Sequence, residues 1–229
     1  MSVMVNAGMS TAREPLKYGG AVPVSGSSAV PSMATDRLPE RIARCVLGLA
    51  FFGIGISLII DARIGVPPWD VLHQGIAERV DRSIGAVIIA TGAALMLLWI
   101  PLRQKPGIGT VLNAIEIGLV ANVAIRVLPQ PESLVVQVPM MLSGVVVTAV
   151  GSGLYIGSGL GPGPRDGLMT GLAARGIPLR VARTGIEITV LVVGWFLGGQ
   201  VGAGTVAFAV LIGPLVQVFL PRLAIKPRV

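Results

Sequence analysis

The chain contains one unit twice, and this duplication constrains its fold more than any single residue does. A slide of 96 residues superposes residues 65–79 (GVPPWDVLHQGIAER) on residues 161–175 (GPGPRDGLMTGLAAR), pairing Pro68 with Pro164, Asp70 with Asp166, Gly75 with Gly171 and Arg79 with Arg175. A slide of 95 then pairs Gly107-Ile108-Gly109-Thr110 with Gly202-Ala203-Gly204-Thr205, and Gly118 with Gly213. In each copy a long apolar run meets a Gly/Pro break, then a Pro-x-Asp block and a short amphipathic segment.

The surroundings of the repeat are apolar. Hydrophobic residues make up 53% of the chain and charged ones 13%, against about a quarter charged in a soluble domain. The composition therefore specifies an integral membrane protein. The net charge of +7 does not point to nucleic acid, because the basic residues are scattered singly with no interleaved aromatics. Cys45 is the sole cysteine and His73 the sole histidine, which excludes a disulfide framework and any site needing two histidines. No Ser/His/Asp set, HExxH pattern or cysteine cluster occurs. Hence no catalytic residue, cofactor or metal is assigned, and the chain is not read as an enzyme.

Six stretches approach the roughly 20 apolar residues that a helix needs to cross a bilayer: 42–60, 84–102, 110–127, 134–157, 181–197 and 205–220. Residues 1–36 are rich in Ser, Gly, Ala and Pro without an apolar period and read as a disordered tail, within which Met33 is an alternative start. No charged start leads into an apolar core with a cleavage site, so this is not a secretory signal. With the N-terminus inside, 14 of the 18 Lys and Arg residues fall on inner segments, including Arg37, Arg41, Arg44, Arg103, Arg180, Arg183 and Arg222. The positive-inside rule then places both termini in the cytoplasm of a bacterial inner-membrane protein. Each copy holds three crossings, and an odd number turns the second copy upside down. The expected fold is all-α, with six transmembrane helices in two inverted three-helix repeats, 37–128 and 134–222, each with a Gly/Pro-broken short helix. A basic cytoplasmic tail occupies 223–229. Inverted repeats with interrupted helices are the arrangement of many secondary transporters, whose site lies where the units meet.

The repeat singles out candidate site residues. Asp70 and Asp166 stand two residues after a proline; they are read either as helix caps or as carboxylates that meet a cation, proton or polar substrate from two sides. Trp69 and Arg165 share the slot between proline and aspartate, Trp69 as an interfacial anchor and Arg165 as an anchor or a ligand for an anionic group. His73 lies one turn beyond Asp70, either solvated at the interface or sharing a proton with it. Glu116 and Glu187 lie farthest from any loop; Glu187 has Arg183 four residues before it as an intrahelical partner, and Glu116 has no basic neighbour on its helix. Gly153, Gly157 and Gly161 recur every fourth residue, the spacing for close helix approach. Thr110 and Thr205 are expected to cap the helices they begin.

The runs GVPPWDVLHQGIA, LLWIPLRQKPGIGTVLNA, GSGLYIGSGLGPGPRDGLMTGL, RVARTGIE and GTVAFAVLIGPLVQ resemble the bacterial YczE/YyaS/YitT-like family of multi-pass membrane proteins over residues 40–222. The resemblance implies a polytopic inner-membrane protein and brings no assigned reaction, substrate or catalytic residue. Two functions from different classes follow from the residues. One is a small-solute transporter or permease with its pathway between the Pro-x-Asp breaks; the other is a non-transporting membrane scaffold or accessory subunit. The partners expected are the lipid bilayer, a small solute, and a second copy or another protein, but no nucleic acid.

Overall fold

A computed structural model describes residues 37–225. The expected tail at 1–36, the start at Met33 and residues 226–229 of the basic tail lie outside the described residues. The described residues form eight helices and no strand: α1 Leu38–Asp61, α2 Pro68–Val80, α3 Ile84–Leu102, α4 Ile108–Val127, α5 Leu134–Gly157, α6 Pro164–Ala173, α7 Leu179–Phe196 and α8 Ala203–Leu223. Helices α5 and α6 start 96 residues after α1 and α2, and α7 and α8 start 95 residues after α3 and α4. The repeat seen in sequence is therefore a repeat of elements.

Five helices, α1, α3, α4, α5 and α8, are long and apolar enough to cross a membrane. The stretch expected as a sixth crossing at 181–197 forms α7, which is 18 residues long and carries Arg180, Arg183 and Glu187 in its first half. Those charges keep it out of the group of five. The chain is an all-helical, multi-pass membrane protein.

The most extensive interface joins α1 to its counterpart α5. A Cβ on Gly48 would lie 2.5 Å from the amide nitrogen of Tyr155, and one on Gly55 would lie 2.6 Å from that of Thr148. These contacts run in opposite senses along the two helices, so α1 and α5 are antiparallel. Backbones approach this closely only because glycine has no side chain, and in lipid such packing replaces the hydrophobic drive of a soluble core. At one end Arg41 donates to the carbonyl of Ser158 at 2.7 Å. Gly153 and Gly157 press on Phe219, Leu223 and Ala224 at the end of α8, as the every-fourth-residue spacing predicted. Gly161 stands apart in the break, with φ of 121°.

Other contacts also recur in counterpart pairs. Helix α1 packs on α4, and α5 on α8; α2 packs on α7, and α6 on α3. Thus each short helix lies on the second long helix of the other half. Size is traded across those two contacts: Trp99 of α3 sits on Gly167 of α6, whereas Gly194 of α7 sits on Val71 and Leu72 of α2. One pair departs from the pattern. Helix α3 packs closely on α4, and α7 makes no comparable contact with α8.

Candidate functional site

Each Gly/Pro break frees backbone groups that cannot be left unsatisfied within a membrane, and each is closed by the Gly-x-Gly-Thr segment of the other half. The amide of Gly204 donates to the carbonyl of Ile64 at 2.8 Å, and that of Gly109 donates to the carbonyl of Leu160 at 2.9 Å. These are counterpart bonds. Thr205 Oγ1 accepts the Gly202 amide at 3.2 Å, and Thr110 Oγ1 accepts the Gly107 amide at 3.0 Å, so both threonines cap their helices as expected. Thr110 also donates to the Pro162 carbonyl at 2.7 Å. Gly65 has φ of 110°, and a Cβ there would stand 2.6 Å from the Gly202 nitrogen. The breaks thereby hold α2 and α6 at fixed positions.

Pro68 and Pro164 occupy the first turns of α2 and α6, preceded by Pro67 and Gly163 at the caps. Proline suits that position because the missing N–H would have no partner there. The aspartates accordingly fall inside the first turn, and neither makes the capping bond expected of it. Instead, Asp70 Oδ1 lies 3.0 Å from His73 Nδ1, with the two residues 0% and 1% exposed. The solvated interfacial histidine of the alternative reading is thus corrected: α2 packs against both α7 and α3, which encloses His73. Asp70 Oδ2 and His73 Nε2 have no hydrogen-bond partner. Asp166 is exposed and accepts a hydrogen bond from the buried Tyr155 hydroxyl at 3.0 Å.

The divergent residues of the repeat meet each other. The Arg165 guanidinium lies 5.0 Å from the centroid of the Trp69 ring, a cation–π arrangement. Trp69 is 7% exposed and packs with Leu95 and Val190, so it is no interfacial anchor. This contact brings the two Pro-x-Asp blocks together.

A cavity lies on each side of that contact. The first, about 80 Å³, is lined by Phe52 and Ile56 near the middle of α1, by Pro67 to Asp70, and by Arg165, Arg183, Glu187, Phe208, Ala209 and Ile212. The second, about 20 Å³, is lined by His73, Ile88, Thr91, Gly92, Leu95, Asn113, Ala114, Ile117, Pro164 and Arg165. The two are built from counterpart positions: Pro68 and Pro164, Trp69 and Arg165, Arg183 and Ile88, Glu187 and Gly92, Phe208 and Asn113, Ala209 and Ala114, Ile212 and Ile117. The buried Asp70–His73 pair stands between them, with Asp70 on the first and His73 on the second. As metal ligands the pair would be two, and among the described residues no group of three His, Cys, Asp or Glu converges.

The remaining candidates separate. Glu187 borders the first cavity and pairs with Arg183 at 3.0 Å, as its spacing predicted. Glu116 is half-buried on α4, in electrostatic reach of Cys45 on α1, and borders neither cavity. Sequence reasoning missed Asp61. It is 2% exposed with Oδ2 unpartnered, and it borders an open polar basin of about 410 Å³ with Arg63, Gln74, Glu78, Arg126 and Gln200. Its counterpart is Gly157, so the repeat gave no signal; its place at the end of an apolar run was the available clue.

Residues 39–221 match a family of unknown function, DUF6198. The chain belongs to that family. An uncharacterised protein of Haemophilus influenzae is 40% identical over 191 residues, covering 83% of this chain and 88% of that protein. The uncharacterised membrane protein YczE of Bacillus subtilis is 32% identical over 178 residues, covering 76% of this chain and 83% of YczE. YyaS of the same organism is 25% identical over 182 residues, so the YczE/YyaS-like family suggested by the Pro-x-Asp blocks and the runs around them is the right one. No solved structure matches.

Proposed function

We propose that this family member is a small-solute transporter of the bacterial inner membrane, with six crossings in two inverted three-helix units, both termini cytoplasmic, and its solute site between the Pro-x-Asp breaks. The observation that carries this reading is the pair of counterpart cavities, about 80 Å³ and about 20 Å³, on either side of the Trp69–Arg165 contact. Two equivalent sites of unequal volume are what one conformation of an alternating-access protein contains: rocking one half against the other would exchange the open and the pinched cavity. The antiparallel α1–α5 interface supports an axis in the membrane plane. The charged α7 serves in this reading as the sixth crossing, its partly exposed Arg183–Glu187 pair bordering the first cavity.

Within this site Arg165 and Asp70 contact the solute, and the Asp70–His73 pair carries the proton whose movement couples to it. No bond is made or broken in the solute. The test is metabolite profiling of a deletion strain complemented with the wild type or with Asp70→Asn. The expected result is at least one small solute whose cellular level changes on deletion, recovers with the wild type, and does not recover with Asp70→Asn at normal membrane abundance. Identical profiles in all strains, together with a stable co-purifying membrane protein, would replace transport by the scaffold reading, which Gly185 and Gly213, each with open space where a Cβ would stand, favour as packing surfaces.

A further inference from the structure

The first cavity is lined by both α7 and α8, which do not close on each other as α3 and α4 do, and the repeat shows why. Gly85 and Gly92 let α3 close on α4: a Cβ on Gly85 would lie 2.0 Å from the Gly118 carbonyl, and Gly92 lies on Ala114. Their counterparts on α7 are Arg180 and Glu187, and Gly213, the counterpart of Gly118, has nothing within 4 Å of where a Cβ would stand. Phe208, Ala209 and Ile212 make the α8 wall of this cavity apolar. Two polar groups inside it are unmet. Arg165 rests on the Trp69 ring and makes no ion pair among the described residues, and Asp70, 0% exposed, keeps Oδ2 without a partner.

We infer that the cavity takes the head of a single-chain zwitterionic amphiphile, an anionic group on Arg165 and a hydrogen-bond-donating ammonium on Asp70 Oδ2, with the chain leaving between α7 and α8. The complement of an unpaired guanidinium and an unpaired carboxylate oxygen is one molecule that carries both charges. The cavity of about 80 Å³ beside Phe52, Ile56 and Ala209 has room for a small head at most and for no second chain, and the parted helices α7 and α8 leave a path for one acyl tail. This deepens the transporter reading by naming the class of solute, and it rests on that reading only for what happens after binding.

The test uses the full chain in phosphatidylcholine nanodiscs with buried Trp99 and exposed Trp195 both replaced by Phe, which leaves Trp69 as the sole tryptophan. Trp69 fluorescence is titrated with lysophosphatidylethanolamine whose acyl chain carries two bromines, an indole quencher. Saturable quenching is expected. Lysophosphatidylcholine, whose quaternary ammonium has no N–H, should compete at least tenfold more weakly, and Asp70→Asn should remove that preference. Arg165→Gln should weaken binding tenfold or more. Ala209→Leu, which fills the wall without touching a charge, should weaken both lipids equally, so a folding defect in either charge variant leaves the inference open to refutation. Quenching that rises linearly with probe and is unaltered by Ala209→Leu would overturn it, and so would equal competition by phosphoethanolamine alone, which would make the ligand aqueous. Binding is scored without turnover: its absence beside Asp70-dependent transport refutes only the amphiphile, and its presence without transport refutes only the transporter.

Discussion

Helices α3 and α4 and their counterparts α7 and α8 begin from aligned sequences, yet the first pair is clasped and the second is parted. Three positions make the difference. Where α3 has Gly85 and Gly92, α7 has Arg180 and Glu187. Where the Gly85 amide donates to Asn122 at 3.1 Å, the second half pairs Arg180 with Gln217 by position and forms no such bond. The surviving glycine, Gly213, faces open space. The two interfaces are counterparts, and the one whose first helix lacks the small residues is the open one. Glu187, which stands where α3 has Gly92, borders the cavity together with its ion-pair partner Arg183.

That comparison breaks most sharply at the two carboxylates. Removing the partner of Asp70 with His73→Leu leaves a wholly buried carboxylate unpaired, an effect of about 3–5 kcal/mol. Tyr155→Phe frees Asp166, which is exposed, and should cost about 1 kcal/mol or less. In thermal unfolding of the detergent-solubilised protein this is a loss of about 10 °C against about 2–4 °C. Equal losses would mean that the two Pro-x-Asp blocks still do the same work.

The glycines come next. Gly85→Leu forces a side chain into the backbone of α4 and should cost about 3 kcal/mol, whereas Gly213→Leu meets no atom and should leave the melting temperature within about 2 °C of wild type. A large loss at Gly213 would show that α7 and α8 close in solution. The threonines give a smaller contrast: Thr110 makes two hydrogen bonds and Thr205 one. Thr110→Val should therefore cost about 2 kcal/mol and Thr205→Val about 1 kcal/mol, read from the same melts.

Much of this was legible in the sequence because duplication states its own register. The element order, the pairing of the Pro-x-Asp blocks and the capping role of Thr110 and Thr205 all follow from two slides of the chain. Other features depend on which helix faces which, and no slide reveals that. The enclosure of Trp69 and His73 needs α2 to lie on the opposite half, an exchange that Gly194 and Trp99 permit only in three dimensions. The gap between α7 and α8 was concealed for a different reason. The register of α3 on α7 switches from 96 to 95 somewhere after Arg79, and only the helix starts show that Gly92 answers to Glu187 rather than to Ile188. Glu116 illustrates the converse. Distance from loops marked it, but it borders neither cavity and stands in electrostatic reach of Cys45 instead.

The smallest predicted effect examines the place where the halves touch. Trp69 and Arg165 occupy one slot of the repeat, and their contact at 5.0 Å joins the two halves at that slot. A cation over an indole face away from bulk water is worth about 1–2 kcal/mol. A double-mutant cycle with Trp69→Leu and Arg165→Met isolates that term, because each change keeps apolar volume while removing one partner. A coupling of about 1 kcal/mol is expected in the apo protein. Saturating lysophosphatidylethanolamine should reduce it, since an anionic head on the guanidinium screens the charge from the ring. An unchanged coupling in its presence would mean that Arg165 fastens the halves together and takes no part in holding a ligand.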